Sequence, residues 1–125
     1  IIWGDKYSIG HYAFDLQHMI IASILNNIYS ELKSNQDISE VSSYFNILEE
    51  YIKVHFEAEE SYMRETNYKD IKSHIKAHEE FEKMFYDFKD NLSSSKKDDN
   101  IKLFKMLKEW LINHELTLDK KIIVT

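Results

Sequence analysis

The sequence predicts an all-α protein, an antiparallel up-down-up-down four-helix bundle with an extended N-terminal arm. Three observations support this fold class: the 125-residue chain has only 2 Gly and 0 Pro, its apolar residues recur at alternating steps of three and four, and polar stretches divide it into four segments. Gly and Pro supply most tight turns, so turn-rich sandwiches, barrels and doubly wound folds are disfavoured. Strand-like alternation is not sustained. The length suits a single domain over residues 1–125.

The predicted elements follow the apolar periodicity and the polar breaks. The arm is expected at 1–12 and the helices at about 13–34, 38–64, 68–92 and 100–118. Helices of roughly 20 residues are about 30 Å long, and short loops between them favour antiparallel neighbours. Asp37 is the expected N-cap of the second helix and Thr66 or Asn67 that of the third. The acidic end of the polar stretch 93–100 is expected to cap the fourth.

Composition excludes several classes of protein. The absence of Cys rules out disulfides, thiolate zinc sites and iron–sulfur clusters. A formal net charge of −6 argues against nucleic acid as the main partner. Neither a signal peptide nor an apolar run of about 20 residues is visible, so we expect a cytoplasmic protein with no membrane span in this segment. Composition leaves the six His unexplained.

Polar residues interrupt the apolar face of every predicted helix. The residues concerned are His18, His55, Glu59, His74, His78 and His114. A lone His on an apolar face is usually a hydrogen-bonded core residue, and a buried Glu costs several kcal/mol unless it is paired. Six interruptions over four helices are different, because an up-down bundle brings them to one level of its interior. A metal is the simplest group that would satisfy them together.

Asp119 is a weaker candidate on spacing alone. It lies five residues after His114, which is a rotation of roughly 140° on an ideal α-helix. Asp119 can therefore point inward only if the helix ends, tightens or widens there. A solvent-exposed Asp at a helix end is the simpler alternative.

The number of candidate ligands predicts two metal ions. Five imidazoles and two carboxylates exceed the roughly four ligands of one tetrahedral zinc. Two octahedral ions need about twelve bonds; bridging carboxylates and a bridging oxide or hydroxide leave about one position open for a small ligand. The many His favour iron over magnesium or calcium, but spacing does not choose iron over zinc, manganese or cobalt. A nearly neutral donor set favours reversible binding or mild redox chemistry.

The pattern as a whole resembles the hemerythrin family in its bacterial form. The residues that support the resemblance are Trp3, Tyr7, Gly10, Asp15, Gln17 and His18, then His55, Phe56, Glu59 and Glu60, then His74 and His78, and finally Trp110, Leu111, His114 and Asp119. The resemblance covers nearly the whole chain. It implies that Asp119 is a ligand after all.

The same resemblance implies how the ligands are shared between two iron ions with an oxo or hydroxo bridge. One iron would be held by His74, His78 and His114, the other by His18 and His55, with Glu59 and Asp119 bridging them. The second iron has the open position, where the family binds dioxygen end-on as hydroperoxide, without haem. Similar bacterial domains carry or store oxygen, or sense oxygen or redox state as parts of larger signalling proteins.

The resemblance also implies an oxygen pocket. Phe56, Trp110 and Leu111 adjoin ligands and are expected to exclude water, although aromatic residues on helices are first of all core residues. The family places an aliphatic residue after the fourth-helix His, where this chain has Glu115. On a generic helix Glu115 would be solvent-exposed; in the pocket it can fill the vacant position, relay protons or admit water. His11, in the arm, is expected to be an ordinary surface or packing residue.

Three functions follow from these residues. The favoured one is a dioxygen-binding protein acting as carrier, store or sensor, with dioxygen as ligand and, for a sensor, a covalently linked signalling domain as partner. The alternative is a di-iron redox enzyme that reduces peroxide or oxygen, with Glu115 modifying the pocket. The third is a non-catalytic iron-binding bundle. Enzymatic activity is thus left open, with a binding or sensing role favoured.

Overall fold

The computed structural model describes residues 7–34, 38–92 and 97–123. In these ranges the chain forms four helices and no strand: α1 (Tyr12–Lys33), α2 (Ile38–Glu65), α3 (Ile71–Asn91) and α4 (Lys97–His114). A short π-helical segment, Glu115–Asp119, continues α4. None of the described helices is both long and apolar enough to cross a membrane. The predicted all-α, four-helix fold is confirmed.

The helices pack as a closed ring around a main apolar core, and a smaller apolar cluster is formed by Ile9, Phe14, Met63 and Ile122. Contacts join α1 to α2, α2 to α3, α3 to α4 and α4 back to α1. Phe45 is fully buried at the centre, with ring centroids 5.8 Å from Phe85, 5.0 Å from Phe88 and 6.3 Å from Phe104. Three helices therefore share this aromatic cluster, and the apolar faces predicted from the sequence form the interior.

The turn between α2 and α3 differs from the predicted one. The third helix begins at Ile71 rather than at about 68, because Asn67 adopts a positive φ of 56° and ends α2. The hydroxyl of Thr66 donates to the carbonyl of Tyr62 at 2.9 Å, so it closes α2 instead of capping α3. Asp70 is the residue at the N-cap, and its side chain makes no capping hydrogen bond. The prediction of Thr66 or Asn67 as the cap was wrong.

The start of α4 also differs from expectation. The helix begins at Lys97, so Asp98 and Asp99 lie within its first turn and not at the cap position. There the negative charge of the two side chains interacts favourably with the helix dipole. Buried Asn100 donates from Nδ2 to the carbonyl of Leu92 at 3.1 Å, which ties α4 to the end of α3. The predicted cap at position 37 lies outside the described residues.

The described part of the arm is tied to the start of α1. His11 occupies the N-cap, where Nδ1 accepts a hydrogen bond from the backbone N–H of Phe14 at 3.2 Å and the two rings stack at 4.1 Å. The carboxylate of Asp15 accepts hydrogen bonds from the Ser8 hydroxyl and the Ile9 backbone N–H, both at 2.8 Å. His11 therefore has the packing role expected of it, together with a capping role.

Candidate metal centre

The polar residues singled out on the helix faces meet at one end of the core. Each is at most 4% exposed. The residues are His18 on α1, His55 and Glu59 on α2, His74 and His78 on α3, His114 at the end of α4 and Asp119 at the end of the π-helical segment. A cluster of five imidazoles and two carboxylates is thus enclosed by protein.

The π-helical segment explains why Asp119 points inward. In a π-helix the backbone hydrogen bonds join residues that are five positions apart. A residue and the one five positions after it therefore lie on nearly the same face. Asp119 accordingly lies on the face of His114, with Oδ1 2.8 Å from the His114 Nε2, and it is fully buried. The spacing allowed the helix to end, tighten or widen after His114, and the structure shows that it widens. The exposed alternative for Asp119 was wrong.

The two carboxylate oxygens of Asp119 face histidines from all four helices. Its Oδ2 lies 3.2 Å from Nε2 of His18 and 3.5 Å from Nε2 of His55. Its Oδ1 lies 3.0 Å from Nε2 of His74 and 2.8 Å from Nε2 of His114. One carboxylate therefore stands between two groups of imidazoles, one group on each oxygen.

Glu59 also faces both groups. Its Oε1 lies 3.2 Å from Nε2 of His55 and 3.3 Å from Nε2 of His78. Its Oε2 lies 3.9 Å from Nε2 of His74. The ligand atoms accordingly form two sets able to hold a metal: Glu59, His74, His78, His114 and Asp119 in one, and His18, His55 and Asp119 in the other.

Most of the facing atoms are close together without being hydrogen-bonded to one another. Both oxygens of Glu59 and of Asp119, and Nε2 of His74, His78 and His114, are buried without a hydrogen bond of acceptable direction. Buried polar atoms in proteins are nearly always satisfied. Donor atoms about 2.1 Å from one ion and at right angles lie about 3.0 Å apart, which is the spacing of most pairs here. The donor set fits metal ions.

Burial favours the neutral form of two of the imidazoles. Burial and the neighbouring imidazoles lower the pKa of His78 to about 2, and burial is the largest cause of the lowered pKa of His18. Burial and the charge of Asp119 raise the pKa of Glu59 well above its usual range. Burial also acts to raise the pKa of Asp119, but its contacts with four imidazoles outweigh burial and hold that pKa well below normal. Neutral imidazoles have the free lone pair that a metal requires.

Comparison with known proteins agrees with this geometry. The family model described as the hemerythrin HHE cation-binding domain matches residues 10–123. The chain belongs to the hemerythrin family. Membership implies that the His and carboxylate cluster binds iron, and the family binds dioxygen.

Several relatives match this hemerythrin chain over most of their length. It is 30% identical to a bacteriohemerythrin of Stenotrophomonas maltophilia over 91% of this chain and 73% of the relative. It is 27% identical to a bacteriohemerythrin of Clostridium acetobutylicum over 98% of each, and 29% identical to a myohemerythrin of Theromyzon tessulatum over 90% and 82%. A wild-type hemerythrin crystal structure superposes with a TM-score of 0.84 at 21% identity, covering 97% of this chain and 93% of that one. That structure confirms the fold.

Two of the hemerythrin histidines have hydrogen-bond acceptors on their outer nitrogen. Nδ1 of His55 donates to Oε1 of Gln17 at 2.6 Å, and Nδ1 of His78 donates to Oε2 of Glu60 at 3.0 Å. Such outer partners fix the ring orientation and the tautomer of a metal-binding His. Sequence reasoning assigned no role to Gln17 or Glu60. Their signal was position: each is the chain neighbour of a candidate ligand, one helical step from the apolar face.

Two aromatic residues expected in the pocket stack on ligand histidines. Phe56 stacks on His78 at 3.8 Å and Trp110 stacks on His114 at 4.8 Å, so both cover the three-histidine side. Leu111, which was also expected in the pocket, is buried in the main apolar core together with Phe56.

An aromatic residue that sequence reasoning did not single out covers the other side. Phe14 lies edge-on to His55, with ring centroids 6.0 Å apart. Its signal was its place as the first residue on the apolar face of α1, one turn before His18.

Glu115 is buried, at 5% exposure, because the widened turn rotates it inward with Asp119. Its Oε2 lies 3.9 Å from Nδ1 of His18, the nitrogen that faces away from the ligand cluster. Burial, then the charges of Asp119 and Glu59, raise the pKa of Glu115 well above its usual range. The solvent-exposed alternative was wrong. Glu115 is also absent from both sets of converging ligand atoms.

Proposed function

We propose that this chain binds dioxygen reversibly at a di-iron centre, as an oxygen carrier or store. The observation that supports this most is the placement of the Asp119 carboxylate, which presents one oxygen to His18 and His55 and the other to His74 and His114. A carboxylate with imidazoles on both oxygens is arranged to bridge two ions. The relatives named bacteriohemerythrin and myohemerythrin support the same role.

The two groups differ in their number of histidines, which supports one open position. Three imidazoles, those of His74, His78 and His114, face one side, whereas His18 and His55 face the other. Glu59 and Asp119 each face histidines of both groups, so the two sides differ by one imidazole. We propose that dioxygen binds on the two-histidine side. When bound, the iron pair supplies the electrons and the vacant coordination position that dioxygen needs.

The remaining residues of the site hold the ligands and exclude water. Gln17 fixes the ring of His55, and Glu60 fixes the ring of His78, through the outer nitrogen of each. Phe14 and Phe56 place apolar rings against the same two histidines. A dry, pre-arranged site favours reversible binding, because excluded water cannot enter side reactions.

Anaerobic reconstitution with ferrous iron, followed by exposure to air, tests this function. We expect about two irons per chain and a visible charge-transfer band that appears in air and disappears under argon. Replacing His55 by Leu should abolish the band, because it removes one of only two imidazoles on the oxygen side. His11→Asn is the matched control, since His11 lies outside the ligand sets and Asn can still cap α1.

The outcomes separate the three functions. Far fewer than two irons per chain would favour the non-catalytic iron-binding bundle. A protein that holds two irons but whose spectrum does not change when oxygen is added would contradict the dioxygen-binding proposal. A sensing role is the finer alternative within this proposal, and an adjoining signalling domain in the same gene would support it. The cytoplasmic location belongs to the same proposal, and cell fractionation tests it.

A second candidate function is reduction of peroxide or oxygen with electrons from an added reductant. The observation that favours it is the buried carboxyl group of Glu115, beside the two-histidine side, where the family places an aliphatic residue. In that case Glu115→Leu slows peroxide turnover and lengthens the life of the oxygenated protein. Stopped-flow measurement of both quantities decides, and unchanged values in the variant reject this function.

A further inference from the structure

We propose that Glu115 is the positioning residue for His18: its carboxylate accepts a hydrogen bond from the Nδ1–H of His18 and so aims Nε2 at the metal. This inference rests on the proposed function in one respect, that His18 is an iron ligand. It differs from the pocket roles considered above, because it places Glu115 behind a ligand and not in the vacant position.

The two nitrogens of the His18 ring face different surroundings. Nε2 points into the ligand cluster, 2.9 Å from Nε2 of His55 and 3.2 Å from Oδ2 of Asp119. A neutral imidazole that uses Nε2 as a metal ligand has its proton on Nδ1, and that N–H becomes a donor. Oε2 of Glu115 lies 3.9 Å from this Nδ1. The separation is about 1 Å longer than a hydrogen bond, so the proposed bond requires the Glu115 side chain to move closer to the ring.

The same arrangement already exists behind two other ligands. Gln17 stands 2.6 Å from Nδ1 of His55, and Glu60 stands 3.0 Å from Nδ1 of His78. Each acceptor comes from an amide or carboxyl side chain next to a ligand in the chain. Glu115 is likewise the chain neighbour of His114, and it reaches across to α1. Glu115 thus completes a set of three outer acceptors.

Outside the ligand cluster, Asp15 is another carboxylate whose charge reaches His18, and its oxygens are already hydrogen-bonded. The two oxygens accept hydrogen bonds from Ser8 and Ile9, each at 2.8 Å. Glu115 is 5% exposed, and an unpaired buried carboxylate is costly. A donor N–H on the metal-bound His18 offsets that cost.

Iron retention tests the proposal with two variants of similar size. The protein is loaded with ferrous iron without oxygen, and the rate at which a ferrous chelator removes iron is measured. Loss of an outer partner typically weakens metal binding 10–100-fold, so Glu115→Leu should release the first of its irons about 10–100 times faster than the parent protein. Glu115→Gln retains an acceptor oxygen and should stay within about threefold.

Controls separate positioning from general stability. Gln17→Leu removes the known acceptor behind His55 and should speed iron release as Glu115→Leu does. Glu109→Leu, at an exposed site on α4, should change nothing. In the metal-free state, urea unfolding of Glu115→Leu should occur at equal or higher denaturant than that of the parent, because a buried carboxyl is gone. Faster iron release from a more stable fold would therefore reflect positioning.

Three results would overturn the inference. The first is that Glu115→Leu holds iron as long as the parent does, and the second is that Glu115→Gln releases iron as fast as Glu115→Leu. The third is an X-ray absorption spectrum with one fewer oxygen bound to iron in Glu115→Leu, which would make Glu115 a ligand. If the parent protein retains two irons but its spectrum does not respond to oxygen, only the proposed function is contradicted, and the positioning role of Glu115 stands. Parent protein that holds no iron would overturn both proposals.

Discussion

Replacing Asp119 by Ala or Asn is expected to remove the paired character of the metal site. Asp119 contacts imidazoles from all four helices of the bundle through two oxygens, so its loss withdraws a donor from both groups at once. Loss of an outer partner costs 10–100-fold in metal affinity, and loss of a shared ligand should cost at least about as much on each side. We expect about one iron per chain or fewer after reconstitution and desalting.

The Asn variant makes this experiment sharper than the Ala variant alone. Asn keeps the shape of the side chain and one acceptor oxygen but has no second carboxylate oxygen to offer the other group. Thr117→Ala, an exposed change within the same π-helical segment, serves as the matched control. Iron is counted with a colorimetric chelator after protein quantification. Two irons retained in Asp119→Asn would contradict a bridging role for this carboxylate.

Removing the metal is expected to lower the melting temperature by roughly 20 °C or more. A ligand present at a thousand times its Kd stabilises the folded state by about 4 kcal/mol, and two ions act together. One kcal/mol corresponds to roughly 3–5 °C for a domain of this size. The metal-free protein also buries carboxylate oxygens and ring nitrogens without well-directed hydrogen bonds, among them those of Glu59 and His74. Scanning calorimetry of the loaded and chelator-treated protein measures the difference.

Two additions to the calorimetry identify the cause. Ferrous iron returned without oxygen should restore the melting temperature. Magnesium or calcium should not restore it, because both ions prefer oxygen donors and this site offers mainly imidazoles. Melting temperatures that agree within a few degrees with and without metal would show that the buried cluster is satisfied by the protein alone.

The helical period of the sequence predicted the fold because the spacing of nearby apolar residues alone determines which side of a helix is buried. Residues three and four apart share a face whatever the rest of the chain does. Residues such as Phe45 and Phe104 were therefore assigned correctly to the interior. The polar residues on those stripes, such as His55 and Glu59, were predictable as a cluster for the same reason.

Helix ends were predicted less well than helix faces. The start of α3 depends on the left-handed conformation of Asn67 and on the hydroxyl of Thr66 bonding backwards. Both residue types suit either the end of one helix or the start of the next, so the choice rests on a few hydrogen bonds. Hydrophobic periodicity does not register such a choice.

The sequence by itself determined four helices and the inward face of six of the seven candidate ligands, because periodicity alone sets which residues share a face. Only the tertiary structure decided the inward direction of Asp119 and the burial of Glu115. Both depend on one widened turn after His114, and the helix period of the sequence does not reveal a π-helical turn. That turn places Asp119 among imidazoles from the other three helices, and contacts of this kind exist only once the bundle has formed.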